Sequence, residues 1–118
     1  MPLSPDAKER LRGELEALAA RLVRDLESSA EAARPVALDQ PSVGRVSRID
    51  AIQQQKMLEA NRASQRSRLQ LVRGALRRIE EGSYGECLGC EEPIAPARLE
   101  ARPETPLCLE CQSARERR

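Results

Sequence analysis

Leu11, Leu15, Leu18, Leu22 and Leu26 recur at spacings of three and four residues, separated by charged and small residues. That period places them on one stripe of an α-helix. The start is marked by Ser4-Pro5, a capping hydroxyl followed by proline at the first helical position. Asp6 and Glu9 then suit the positive end of the helix dipole. The helix is expected over about 5–33 and is stopped by Pro35. Residues 35–44 carry two prolines and a glycine and read as a connection. A second long helix is expected over about 46–81, with Ser47 and Asp50 as a capping box. Its apolar stripe reads Val46, Ile49, Gln53, Met57, Ala60, Ser64, then Val72, Leu76 and Ile79, thin in the middle. Gly82 ends it, with Arg77 and Arg78 in the last turns. A short helix or tail follows Cys111.

Two helices of this length, each with one apolar stripe, bury those stripes against each other. The expected fold is mainly α: an antiparallel two-helix coiled-coil hairpin over 1–82, with its tip at about 34–45. At 1.5 Å per residue the arms reach about 40 Å or more. Composition supports an elongated body, because Tyr84 is the one aromatic residue in 118. A compact core of this length normally uses several buried rings. The net charge of +1 argues against a uniformly basic nucleic-acid binder. Basic residues nevertheless outnumber acidic ones from Arg45 to Ile79, while the first helix leans acidic. Pairing across the hairpin edges is the expected use of these charges; a basic stripe for an acidic partner is the alternative. No apolar run has transmembrane length and the N-terminus lacks the pattern of a signal peptide, so a reducing, cytoplasmic setting is expected.

The chemistry is concentrated in residues 83–118. Cys87-Leu-Gly-Cys90 and Cys108-Leu-Glu-Cys111 are separated by 17 residues. Two C-x2-C pairs at such a separation are the sequence form of a four-thiolate zinc site. The chain has no histidine, so one structural Zn2+ would take all four cysteines: Cys87, Cys90, Cys108 and Cys111. A closed shell leaves no position for a reacting water, which argues against an enzyme. The competing readings are two disulfides, which need an oxidising compartment, or redox-active C-x-x-C pairs, which would follow a strand in a βαβ unit. Tyr84, three residues before the first cysteine, is expected to cover the base of the finger near Ile79.

The segment Tyr84-Gly-Glu-Cys87-x-x-Cys90, Ile94, Arg98-Leu-Glu-Ala-Arg-Pro103 and Leu107-Cys-Leu-Glu-Cys-Gln112 closely resembles the DksA/TraR family of bacterial transcription regulators. The resemblance is strong over about 79–112 and extends through the helical arms. It implies a zinc-bearing globular end with a projecting coiled-coil hairpin. It also implies direct binding to RNA polymerase through the secondary channel, with no sequence-specific nucleic acid. The tip would face the polymerase, which assigns that surface to Asp39, Gln40, Arg45, Ser47, Arg48 and Asp50. Two other classes of function stay open: a DNA- or RNA-binding zinc-finger protein, and a redox-responsive structural zinc module.

Three departures set the chain apart from the family pattern. Glu91 follows the first knuckle where glycine is usual, and glycine fits the positive φ of that turn more cheaply. Counting back from Cys87 without gaps puts Gly44 and Ser47 where the best-known members carry two acids, which points to a distinct subgroup. The family's helix lysine falls at Leu71, although Arg102 matches a basic position. Loss of that charge implies weak or absent binding of the alarmone guanosine tetraphosphate.

Overall fold

The computed structural model describes residues 3–33 and 45–117, with the side chains of 45–47 excepted. Four helices follow in order among them: α1 (Pro5–Ser29), α2 (Arg45–Glu81), α3 (Pro96–Ala101) and α4 (Leu109–Glu116). α1 starts as its sequence dictates. The Ser4 backbone is extended, its Oγ accepts from the Ala7 amide at 3.1 Å, and Pro5 takes the first helical position. α2 ends in a Schellman turn, with the Ser83 amide donating to Arg78 O at 2.9 Å and Gly82 at φ +85°.

α1 and α2 pack antiparallel as the hairpin, with the finger segment at its base. The molecule measures 63 × 32 × 20 Å with a radius of gyration of 19.2 Å. A compact chain of this length would have a radius of about 13–14 Å, so the arm dominates the shape. Leu11, Leu15, Leu18 and Leu22 of α1 are buried against Leu69, Val72 and Ala75 of α2. That core continues into the finger through Tyr84, Cys87, Ile94, Leu99 and Leu107.

The stripe expected on the first half of α2 is displaced. Ile49 and Met57 are exposed, at 50% and 67%, and Gln53, Ala60 and Ser64 also face solvent. Stepping back from Ile79 by threes and fours, the covered positions are Leu76, Val72, Leu69, Gln65, Arg62, Leu58, Gln55 and Ile52. The physical reason is hydrogen bonding: Arg62 and Gln55 reach backbone carbonyls at the end of α1, so polar residues occupy seam positions. Other boundaries shift as well. α1 stops at Ser29 and continues as turns to Ala33, short of the expected helical end. α2 is already helical at Arg45, so Ser47 lies inside the first turn and is not the cap. The expected tip loop, including Asp39, Gln40 and Gly44, lies outside the described residues. The segment after Cys108 is helical, and α3 is an element the sequence reading did not foresee.

The buried base and the polar upper half respond differently to truncation. Leu15→Ala, at a fully covered position, is expected to cost about 2–5 kcal/mol. Met57→Ala on the exposed face should stay within about 0.5 kcal/mol of the parent. Urea denaturation followed by circular dichroism, with zinc held constant, checks both.

Candidate metal centre

Each cysteine pair is shaped by its own local structure. The first knuckle is a short antiparallel loop. Ile94 N donates to Gly85 O at 2.7 Å and Cys87 N to Glu92 O at 2.9 Å, around a bridge between Glu86 and Pro93. Glu91 closes the turn at φ +65°, its amide donating to Cys87 O at 2.9 Å. It therefore takes the left-handed conformation that glycine adopts without strain. The second knuckle is the first turn of α4: Cys108 is the N-cap, and its sulfur accepts from the Cys111 amide.

Leu88 N donates to Pro106 O at 2.9 Å and pulls the two knuckles together. The four sulfurs all lie within 4.8 Å of one another. Cys90 Sγ and Cys108 Sγ are 3.8 Å apart, too far for a disulfide. That distance equals the edge of a tetrahedron of four sulfurs about 2.3 Å from a central ion, which is about 3.8 Å. The donor set thus fits one zinc ion in size and chemistry. The free backbone amides of Gly89 and Cys108 both aim at Cys87 Sγ, each at 3.3 Å. Burial opposes the Cys87 thiolate, but these amides and that of Cys90 outweigh it and draw its pKa down to about 6. Crowding by the other three sulfurs, Cys108 first, pushes Cys111 up to about 12. One thiolate forms readily and the set resists a second negative charge, so a cation is needed to hold all four ionised.

The finger is clamped to both arms. Tyr84 is buried at 5% exposure, and its hydroxyl donates to Pro103 O at 2.9 Å. This is the covering position expected of it. Arg68 of α2 donates through Nε to Glu104 Oε2 at 2.8 Å; the Glu104 side chain is almost fully buried. Arg10 of α1 forks onto both oxygens of Glu100, at 2.7 and 2.6 Å. Inside the finger Arg98 donates to Leu107 O at 3.0 Å and to Thr105 Oγ1 at 3.3 Å. These clamps were not read from the sequence. Pro96 opening Ala-Arg-Leu-Glu-Ala was the available signal for α3, as proline at the first helical position.

The tip residues are placed only in part. Arg45 and Ser47 stand in the first turn of α2, Arg48 is half-buried and Asp50 is exposed. Leu71 and Arg102 line one groove between shaft and finger, together with Arg21, Arg68 and Asp25. No helix among the described residues is long and apolar enough to cross a membrane.

Comparison with known proteins agrees with this geometry. Residues 82–117 match the prokaryotic dksA/traR C4-type zinc finger. The chain is 49% identical over 57 residues to the RNA polymerase-binding transcription factor DksA of Caulobacter vibrioides, covering 48% of this chain and 40% of that protein. It is 34% identical over 56 residues to the protein of the same name from Escherichia coli K12, covering 48% and 37%. The chain thus matches well under half the length of these curated relatives. The fold matches transcription factor DksA2 from Pseudomonas aeruginosa with a TM-score of 0.75 at 24% identity, covering 97% of this chain and 86% of that one. It also matches an RNA polymerase binding protein and transcriptional regulator from Chlamydia trachomatis, with a TM-score of 0.62 at 21% identity and coverage of 98% and 94%. The resemblance read from the cysteine segment is borne out, and so is the hairpin-and-finger fold.

Two outcomes follow from the site. Burial, the main cause, raises the Tyr84 phenol to about 12, against an ordinary value of about 10. The folded state therefore keeps a proton that the unfolded state loses. The stability this contributes is complete below about pH 10 and is lost as pH rises through about 12. Because Tyr84 is the sole aromatic residue, its absorbance titration reads this directly and should show a midpoint near 12. Glu91→Gly should stabilise the finger by up to about 1 kcal/mol, relief of the left-handed strain being partly offset by chain entropy; thermal unfolding of the zinc-loaded protein checks it.

Proposed function

We propose that this chain is a transcription regulator that binds RNA polymerase directly, entering the secondary channel with its hairpin. One structural Zn2+, on Cys87, Cys90, Cys108 and Cys111, holds the base. The observation that carries this reading is the joint one of a dksA/traR-type four-thiolate finger and a projecting arm in a molecule 63 Å long. The finger has no open metal position and no nucleophile–base pair, so its work is architectural. A cytoplasmic location follows from this partner.

Within this proposal the working end is the tip. Asp39, Gln40, Arg45, Ser47, Arg48 and Asp50 form the polymerase-facing surface, in a subgroup without the usual acidic pair. The zinc end would be a stable module without so long an arm, so the arm's reach is what the shape provides. The groove holding Leu71 and Arg102 lacks the lysine of the family pattern. Guanosine tetraphosphate is therefore expected to bind weakly there or not at all.

The test is co-purification with core RNA polymerase and competition with transcript-cleavage factors that use the same channel. Binding abolished by those factors supports the reading. Retention on naked DNA with a steep salt dependence, and none on polymerase, would replace it with a nucleic-acid-binding role. Replacing Arg45, Ser47, Arg48 and Asp50 together by alanine should leave fold and polymerase binding intact and remove the effect on transcription. Cys90→Ser should unfold residues 83–112 and leave much of the hairpin helical, because zinc binding worth on the order of 10–16 kcal/mol far exceeds what so small a core supplies. Metal analysis should find one zinc per parent chain and a loss in the variant.

A further inference from the structure

Charge is not spread evenly over the molecule. α2 carries nine basic residues against four acidic, whereas α1 carries five against six and residues 82–118 carry five against seven. Two guanidiniums of α2 are engaged by other elements. Arg62 donates to the Leu26 carbonyl of α1, and Arg68 pairs with Glu104 of the finger. Pairing across the hairpin, the expected use of the basic surplus, does not reach Arg66, Arg73 and Arg77. All three are exposed, and none makes an ion pair or a side-chain hydrogen bond.

Their spacing makes them one surface. Steps of seven and four residues keep them on one side of the helix, and the first and last stand about 16 Å apart along it. At about 100° per residue, that side lies roughly 140–180° around α2 from Arg68 and so faces away from the finger. It is separate from the groove that holds Leu71 and Arg102. Arg73 and Arg77 stand four residues apart, a like-charge spacing that disfavours a helix. Nothing on the neighbouring elements relieves it, and a surface of opposite sign would.

We propose that Arg66, Arg73 and Arg77 form a docking ridge for an acidic protein surface. Under the polymerase reading above, on which this inference rests, that surface is a wall of the channel on the side of the arm opposite the finger. Ridge and tip then divide the work: the ridge governs how the arm is seated, the tip what it does there. A nucleic acid fits less well, because its backbone is uniformly negative and both α1 and the finger carry more acids than bases. A second copy also fits less well. A two-fold axis would bring ridge against ridge. A stable interface needs an apolar centre, and Leu71, the exposed large apolar residue of this stretch of α2, is on the groove side.

The experiment uses the full zinc-loaded chain and core RNA polymerase. The ridge variant combines Arg66→Gln, Arg73→Gln and Arg77→Gln, glutamine being a good helix former. A second variant places lysine at the same three positions. A control combines Arg24→Gln, Arg115→Gln and Arg117→Gln, which are also exposed and without an ion pair. Association and dissociation rates are followed as ionic strength is raised. Charges of this kind act chiefly on association. The ridge variant should therefore associate roughly tenfold or more slowly than the parent at low salt, and converge with it near 1 M salt, where the screening length is about 3 Å. The lysine variant should keep most of the parental rate, and the control should stay near the parent. At saturating concentration the ridge variant should regulate transcription as the parent does. Equal slowing in ridge variant and control reduces the effect to net charge and overturns the proposal. An effect on transcription still missing at saturation overturns it too. Loss of naked-DNA binding with polymerase binding unchanged reassigns the ridge to nucleic acid, and a parental dimer that falls to monomer in the ridge variant reassigns it to a second copy; either overturns it. A parent that does not bind polymerase refutes the functional reading and this inference together, whereas a parent that binds with kinetics unchanged in the ridge variant refutes the ridge alone.

Discussion

Four sulfurs held within 4.8 Å of one another are stable as thiolates only around a cation, and the rest of the molecule is built outward from that constraint. The finger has few resources of its own. Its buried apolar side chains are Tyr84, Ile94, Leu99 and Leu107 with the Cys87 sulfur among them, too few to offset the entropy of ordering some 30 residues at about 1.5 kcal/mol each. Metal binding supplies the difference, and it does so only when both knuckles are in place. The amides of Gly89 and Cys108 that point at Cys87 Sγ prepare negative charge at that sulfur before the ion arrives.

Rigidity then passes from the finger to the arm through groups that leave little freedom at the joint. The Tyr84 hydroxyl on Pro103 O, Arg68 on the buried Glu104 and the Arg10–Glu100 fork together tie the finger to both helices. Their natures differ. Arg10 and Glu100 are about half exposed, and such a pair adds little stability in water. Glu104 is almost fully buried, with Oε1 lacking a hydrogen-bond partner. Removing Arg68 would leave a buried carboxylate without its cation, a change that typically destabilises strongly. The orientation of a long arm is sensitive to small angular error at its base, so clamps at the joint matter more than their net energy suggests.

The cysteine spacing, the Ser4-Pro5 start, the leucine stripe of α1 and the Gly82 stop all declared themselves in sequence, because each is a local signal with one physical meaning. The left-handed turn at Glu91 was legible for the same reason. The seam of α2 was not. Periodicity finds a helix face by its apolar residues, and here the covered face carries Gln55, Arg62 and Gln65 while Ile49 and Met57 lie outside. Those polar residues are covered because of carbonyls on the other arm, a tertiary fact that no window along α2 contains. The end of α1 differs by less: the α-helix stops at Ser29 and the chain goes on in turns to Ala33, the Ala33 amide still donating to Ser29 O at 3.0 Å. α3 was missed because six residues carry too little periodic signal.

A polar seam is an expensive way to close a hairpin, and its use here has a physical rationale. Each leucine buried at the base contributes about 1.5–3 kcal/mol, whereas a hydrogen bond exchanged from water nets about 0.5–1.5 kcal/mol. The upper half therefore adds little stability, and the base must carry the hairpin. What the polar contacts add is discrimination. A leucine stripe tolerates sliding by a turn, because one apolar surface resembles the next. Arg62 tolerates none, because a shift of one turn moves it away from the Leu26 carbonyl and leaves a half-buried charge against helix whose carbonyls are already bonded. Polar groups at single seam positions specify register at a cost in stability. In this chain they stand in the half of the arm nearest the tip, where an error of register would be carried undiminished into whatever the tip must reach.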